Sequence, residues 1–182
     1  SGDLNKTQSF FSVDVNGHSV LRNFSAFLAV SAIKTSAIKT REAYVIEEFI
    51  VNVGTNQSIE ITFTPDPSSY AFINGVEIVS TPEDLYVPRI ETPIVGLNYR
   101  YQFDGENTAF QTLFRLNVGG NRIGVTDDTG MFRVWEQDDP YIFGAAVGVT
   151  PHLDVPIHYS NATPAYTAPE IVYTTSRTMG NE

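Results

Sequence analysis

The stretch Ser68–Ser80, "SSYAFINGVEIVS", supports two readings that lead to different folds. Asn74-Gly75 between the apolar tetrads Tyr70–Ile73 and Val76–Val79 is the strongest short-range signal for a two-residue hairpin. The same residues also alternate without a break. Phe72, Asn74, Val76 and Ile78 fall on one face, and Ala71, Ile73, Gly75, Glu77 and Val79 on the other. A hairpin with such short arms is marginal by itself, whereas a continuous strand buries Phe72, Val76 and Ile78 together. In the strand reading Gly75 marks a bulge or a close backbone approach.

The sequence on either side is of the same kind. "SFFSVDV", "AYVIEEFIVNV", "SIEITFTP", "LFRLNVGG", "MFRVW", "YIFGAAVGV" and "PIHYS" are short runs rich in β-branched and aromatic residues. Turn chemistries such as "VNGHS", "VGTNQS", "PDPSS" and "DDTG" punctuate them. "SIEITFTP" alternates most cleanly, with Ile59, Ile61 and Phe63 opposite Glu60, Thr62 and Thr64. Helical periodicity is scarce, and the pattern predicts an all-β chain of sandwich type. The tandem "SAIKTSAIKT", Ser31–Thr40, is too short for a solenoid and reads as a basic, exposed loop. Poorer sequence marked by Pro and Gly separates two blocks. The boundary is expected between Pro88 and Ala109, giving segments 1–88, 89–108 and 109–182.

At 182 residues the chain can bury a core without covalent staples. Hydrophobic residues make up 42% and charged residues 18%, an ordinary globular balance. No apolar run approaches the roughly 20 residues of a membrane-spanning helix, so no membrane contact by this segment is expected. The start, "SGDLNKTQSFF", lacks the features of a secretory signal. Cysteine is absent, which excludes disulfides and thiolate metal sites. A formal net charge of −10 repels polyphosphates, so nucleic acid is a poor partner and a basic peptide or protein a better one. Asn5, Asn23, Asn56 and Asn161 each open an Asn-X-Ser/Thr acceptor triplet, which leans the reading towards an extracellular chain.

"VWEQDDPYIF", Val134–Phe143, carries the chemistry most suited to a ligand. Aromatic faces and carboxylates together hold sugars, so Trp135, Asp138, Asp139 and Tyr141 are the candidate ligand-binding residues. The competing reading puts Trp135 and Tyr141 in the core and the acids in a solvated turn. A glycosidase needs two carboxylates about 5 or about 6.5–9.5 Å apart across the scissile bond. On a strand, Asp138 and Asp139 would point to opposite faces, so no catalytic residue is assigned. The glycines of "LFRLNVGGNRI" are not followed by the Lys-Ser/Thr of a phosphate loop and read as a strand-to-loop turn. "DDTG" lacks the spaced oxygen ligands of a calcium loop. His18, His152 and His158 have no metal-ligand spacing, and neither a metal nor a cofactor is expected. Arg115, Arg122 and Arg133 could pair with uronate carboxylates, but ion pairs within the chain are their expected use.

Six segments together resemble the ectodomain of plant malectin-like receptor kinases of the FERONIA/ANXUR group. They are "FFSVDVNGHSVLRNFSA", "IEEFIVNV", "IEITFTPDPSSYAFINGVEIVSTPEDLY", "LFRLNVGGNRI", "DTGMFRVWEQDDPYIFGA" and "YTAPEIVYTTSRTMGN". The similarity runs in order over nearly all of the chain. It implies a partial tandem pair of malectin-like, jelly-roll-like β-sandwich modules. Residues 1–88 would be the later part of the first module, 89–108 a connector, and 109–182 the opening part of the second. The resemblance also favours the continuous strand at 70–79.

In function, the resemblance implies a non-catalytic recognition region outside the plasma membrane of a receptor whose kinase is not in this chain. Its expected partners are basic secreted peptides of the RALF type, a lipid-anchored co-receptor, and pectin or another cell-wall glycan. The alternative is a lectin or carbohydrate-active enzyme built on the segment from Trp135 to Tyr141.

Overall fold

The structure, a computed structural model, describes residues 8–35, 44–54, 58–82, 85–86, 92–93, 100–101, 108–143 and 148–179. The chain divides into two compact units: Ser1–Ile78 with Glu83–Thr112, and Val79–Pro82 with Leu113–Glu182. The expected connector, 89–108, is described only at 92–93, 100–101 and 108.

The first unit is built on a three-stranded antiparallel sheet in the order β2-β1-β4, formed by β1 (Phe11–Val15), β2 (His18–Phe24) and β4 (Ile61–Pro65). Between β1 and β2 the chain reverses through Asn16-Gly17, with φ of 48° and 83°. Two consecutive positive φ values give the primed turn that matches strand twist, and Asn-Gly is the dipeptide that best tolerates it. The Asn16 carboxamide then reaches across to the chain that leads into β4, accepting from the Glu60 amide at 2.7 Å. Along β1 every second residue turns inward. Phe11 and Val13 are the buried hydrophobic residues among those described in this unit. Phe11 packs edge-on against Phe24 at 5.6 Å and lies 6.1 Å from Phe63 on the opposite neighbour. Register shifts between Phe11 and Asp14 mark an irregular stretch of the β1–β2 pair.

A helix, α1 (Ala26–Thr35), follows β2 directly. Ser25 caps it, its hydroxyl accepting from the Leu28 amide while its carbonyl accepts from the Ala29 amide. Ser25 is buried and shares a hydrogen bond with the buried Ser9 hydroxyl. The first copy of the tandem repeat, Ser31–Thr35, is therefore helix and not loop. An effective cap followed by Ala, Leu and Lys, all good helix formers, outweighs the missing amphipathic pattern. The second copy lies outside the described residues. Two further short pairs lie among the described residues of this unit: β3 (Phe49–Ile50) with β7 (Phe110–Gln111), and β5 (Thr92–Pro93) with β6 (Arg100–Tyr101).

Neither reading of the segment around Asn74-Gly75 holds. Among the described residues, 71–82 join no ladder, and Gly75 does not have the positive φ of a primed turn. Phe72 leans on Phe11 at 6.2 Å and on Tyr70 at 6.1 Å, yet it is 40% exposed; Val76 and Ile78 are exposed further still. Alternation supplies a face, but a strand also needs a neighbour to take its N–H and C=O groups.

The second unit relies less on regular ladders. β8 (Leu116–Asn117) and β9 (Glu136–Gln137) pair in parallel, and a reciprocal bridge joins Ile123 to Trp135. Further bridges join Val149 to Thr178 and His152 to Thr175. A short helix, α2 (Glu170–Thr174), begins after Pro169, where a missing N–H costs nothing. Among the described residues of this unit Ile123 and Ala168 are buried hydrophobic residues, accompanied by the buried polar residues Asn117, Arg133, Asp138 and Thr174. Polar networks thus do much of the work that apolar packing does elsewhere.

Candidate functional site

Trp135, Asp138, Asp139 and Tyr141 all lie in the second unit, and their environments divide them. Trp135 immediately precedes β9 and is half-buried. Its indole N–H donates to Asp128 Oδ1 at 3.1 Å. The Arg133 guanidinium stacks 5.3 Å from its ring, and that of Arg115 lies 5.9 Å away. Asp128 and Arg133 form a bidentate pair, Nε to Oδ2 at 2.9 Å and Nη2 to Oδ1 at 3.0 Å. Arg133 also donates to the Tyr166 and Thr167 carbonyls, so the pair pins the 166–167 turn to the 128–133 segment. Both side chains are almost fully buried. Burial raises the Asp128 carboxyl, but hydrogen bonds from Arg133, Thr129 and Trp135 outweigh it and hold the group at about 2.

Asp138 is the hub of a second lock. It follows β9 and is buried, accepting from Arg177 Nε at 2.7 Å, Arg177 Nη2 at 2.9 Å and the Gly119 amide at 2.9 Å. The Arg177 hydrogen bond leads in drawing its carboxyl down to about 2. Asp139 opens a single 3₁₀ turn, Asp139–Tyr141, and meets the same guanidinium at 2.6 Å. The strand-based expectation that the two acids point apart is corrected here, since the turn brings both onto Arg177. Both oxygens of Asp138 are occupied within the protein, whereas the Asp139 side chain remains 66% exposed. Tyr141 is 40% exposed and stacks edge-on with Phe114 at 5.2 Å. Asp139, Tyr141 and Phe114 therefore present an acidic and aromatic surface, held from beneath by Asp138 and Arg177.

A separate cleft of about 340 Å³ in the same unit is lined by Asn117, Gly119, Arg122, His152 and Thr175 among others, and by none of the four sequence-predicted residues. Asn117 is fully buried, donating to the Asn121 carbonyl and accepting from Thr175 Oγ1. The glycine pair of "LFRLNVGG" is the turn the sequence predicts. Gly119 has φ of 73°, and a Cβ there would strike the Ser176 carbonyl. Arg122 pairs with Glu136, which together with the Arg133–Asp128 pair matches the expected internal use of these arginines. Asp128 was legible only as part of a turn, and Arg177 carried no local signal because its partners lie 39 and 38 residues away. No group of three His, Asp or Glu side chains among the described residues could hold a metal ion. No helix among them is long and apolar enough to cross a membrane.

The profile of the malectin-like domain matches residues 7–182. The chain therefore belongs to the malectin-like domain family, and the match leaves no kinase domain within it. It is 42% identical over 183 residues to the receptor-like protein kinase FERONIA of Arabidopsis thaliana, covering 97% of this chain and 19% of that protein. With a putative receptor-like protein kinase of the same plant, At5g39000, it shares 45% identity over 181 residues, covering 98% of this chain and 20% of the relative. The crystal structure of the receptor-like kinase FER aligns with a TM-score of 0.79 at 39% identity, over 98% of this chain and 43% of that one. A chain in the crystal structure of the plant peptide RALF23 in complex with FER and LLG2 aligns at 0.83 and 40%, over 98% and 46%. The chain thus spans about a fifth of the curated relatives it matches, within the ectodomain of receptor-like kinases, and its fold is the all-β malectin-like fold.

Proposed function

We propose that this chain is part of a non-catalytic, extracellular recognition region of a plant receptor-like kinase, and that it binds basic secreted peptides of the RALF type with a lipid-anchored co-receptor. The observation that carries this reading is the likeness, at 40% identity and a TM-score of 0.83, to a chain in the complex of RALF23 with FER and LLG2. The charge of −10 suits a basic ligand, chiefly by speeding encounter. Within this reading residues 1–88 belong to a first malectin-like module, 89–108 to a connector and 109–182 to a second. The exposed surface of Asp139, Tyr141 and Phe114 is the proposed contact, with Asp138 holding it in shape through Arg177. Pectin ranks behind the peptide as a ligand, because a polyanion is repelled by the net charge of −10 and needs a local basic patch or a bridging cation.

Titrating the chain with a basic, disulfide-bonded peptide and with an oligogalacturonide at two salt concentrations tests this. Peptide binding that weakens with salt, and that weakens about 10-fold in Tyr141→Ala, is the expected result. Tighter, salt-insensitive binding of the uronide would reverse the order of ligands.

A further inference from the structure

Two of the four acceptor triplets lie in described residues, and the fold treats them in opposite ways. Asn161-Ala162-Thr163 sits at the tip of a two-residue reversal closed by reciprocal bonds between Ser160 and Thr163, both at 3.1 Å. Asn161, Ala162 and Thr163 are all exposed. The Asn161 carboxamide and the Thr163 hydroxyl make no hydrogen bond to other described residues. Asn23-Phe24-Ser25 is exposed only at its first residue. Asn23 is the penultimate residue of β2, with φ of 48°, and its backbone N–H donates to Ser12 Oγ; Phe24 packs on Phe11. The Ser25 hydroxyl is buried between Ser9 and the Leu28 amide as the cap of α1.

Transfer of a glycan to asparagine uses the hydroxyl two residues on as part of the recognised element, so both ends of the triplet must be reachable at once. We propose that Asn161 is an N-glycan acceptor that the folded chain presents, whereas Asn23 can accept only before the first unit closes. The co-substrate is a lipid-linked oligosaccharide diphosphate. The Asn161 amide nitrogen forms a bond to the sugar C1 as the bond from C1 to the phosphate oxygen breaks. The lipid diphosphate leaves with that electron pair, and the amide gives up one proton to the transferase. In a cell this inference rests on the extracellular reading above, but its chemistry can be tested without it.

Unglycosylated full-length chain made in bacteria would be offered, folded or urea-denatured, to a purified oligosaccharyltransferase with its lipid-linked donor. Occupancy would then be read peptide by peptide by mass spectrometry. The folded chain is expected to carry at least about 10-fold more glycan at Asn161 than at Asn23, and denaturation to raise Asn23 by a similar factor. Thr163→Ala should abolish transfer to Asn161. Because Pro164 abuts the triplet, Pro164→Ala serves as a second substrate in which any restraint from that ring is gone. Transfer to Asn23 as fast in the folded as in the denatured chain would overturn the proposal. So would failure of the folded natural chain to accept at Asn161, with acceptance by Pro164→Ala alone tracing that failure to the proline and not to burial. Expression in plant secretory cells with every triplet empty would count against the extracellular reading instead, leaving the in vitro result to stand.

Discussion

Arg133 shows how much one side chain carries in the second unit. It satisfies one carboxylate, two carbonyls and a hydroxyl, and it covers one face of Trp135. Arg133→Ala leaves the buried Asp128 charge without its counter-ion, a change that costs about 3–5 kcal/mol. Urea unfolding should show that loss, and the fluorescence of the chain's single tryptophan should shift to the red as Trp135 gains water. The acid side can be predicted as well. Asp128 and Asp138 lie near 2 when folded, against 3.8 in the unfolded chain. Depressed carboxyls add stability that is complete above the unfolded value and disappears as pH falls through the folded one. Unfolding free energy should therefore be level above about pH 5 and drop between about 4 and 2, by on the order of 2 kcal/mol per group. Asp138→Asn should flatten part of that slope. These networks were scarcely legible in the sequence, because hydrogen bonds spanning 33 to 39 residues leave no spacing pattern. Arg133 and Arg122 could be assigned ion pairs from the excess of acids, but their partners could not.

At the level of elements, one dipeptide occurs twice with opposite outcomes. Asn16-Gly17 closes the β1–β2 reversal, whereas Asn74-Gly75 closes nothing. The difference lies in what surrounds them. Asn16 is tied through Glu60 and Ser58 to the chain that leads into β4, and β1 has β4 as a second neighbour. Gly17→Ala should cost about 1 kcal/mol, because φ of 83° is strained for any residue with a Cβ, although space is open there. Gly75→Ala, with neither strain nor contact, should be neutral or stabilise by a few tenths of a kcal/mol. Equal losses from the two changes, measured by thermal melting, would mean that Asn74-Gly75 also forms a turn. The strands β1 and β4 were readable because alternation, β-branching and turn residues agreed, whereas β2 was marked only by the turn that opens it. Helix α1 was not readable, since Phe27, Leu28, Ala29 and Val30 run consecutively and offer no 3.6-residue stripe. Its signal was local and different in kind: Ser25 as cap before a run of good helix formers.

For the molecule as a whole, family membership and the extracellular-receptor relationship rest on similarity spread over the full length, and no single motif could carry them. The ligand surface was legible in composition but not in arrangement. The sequence grouped Trp135, Asp138, Asp139 and Tyr141, while the fold turns the first two towards structure and leaves the last two exposed. Phe114 joins Tyr141 from a residue far back in the chain, so only the folded unit reveals the aromatic pair. If this surface and the acidic charge recognise a basic peptide without chemistry, the association rate constant should respond most strongly to ionic strength. Surface plasmon resonance of a basic, disulfide-bonded secreted peptide over the immobilised chain, at low and high salt, tests this most directly. The account predicts an on-rate that falls about 10-fold or more as salt rises, with a much smaller change in off-rate. Turnover of a carbohydrate by the same preparation, or an on-rate indifferent to salt, would contradict it.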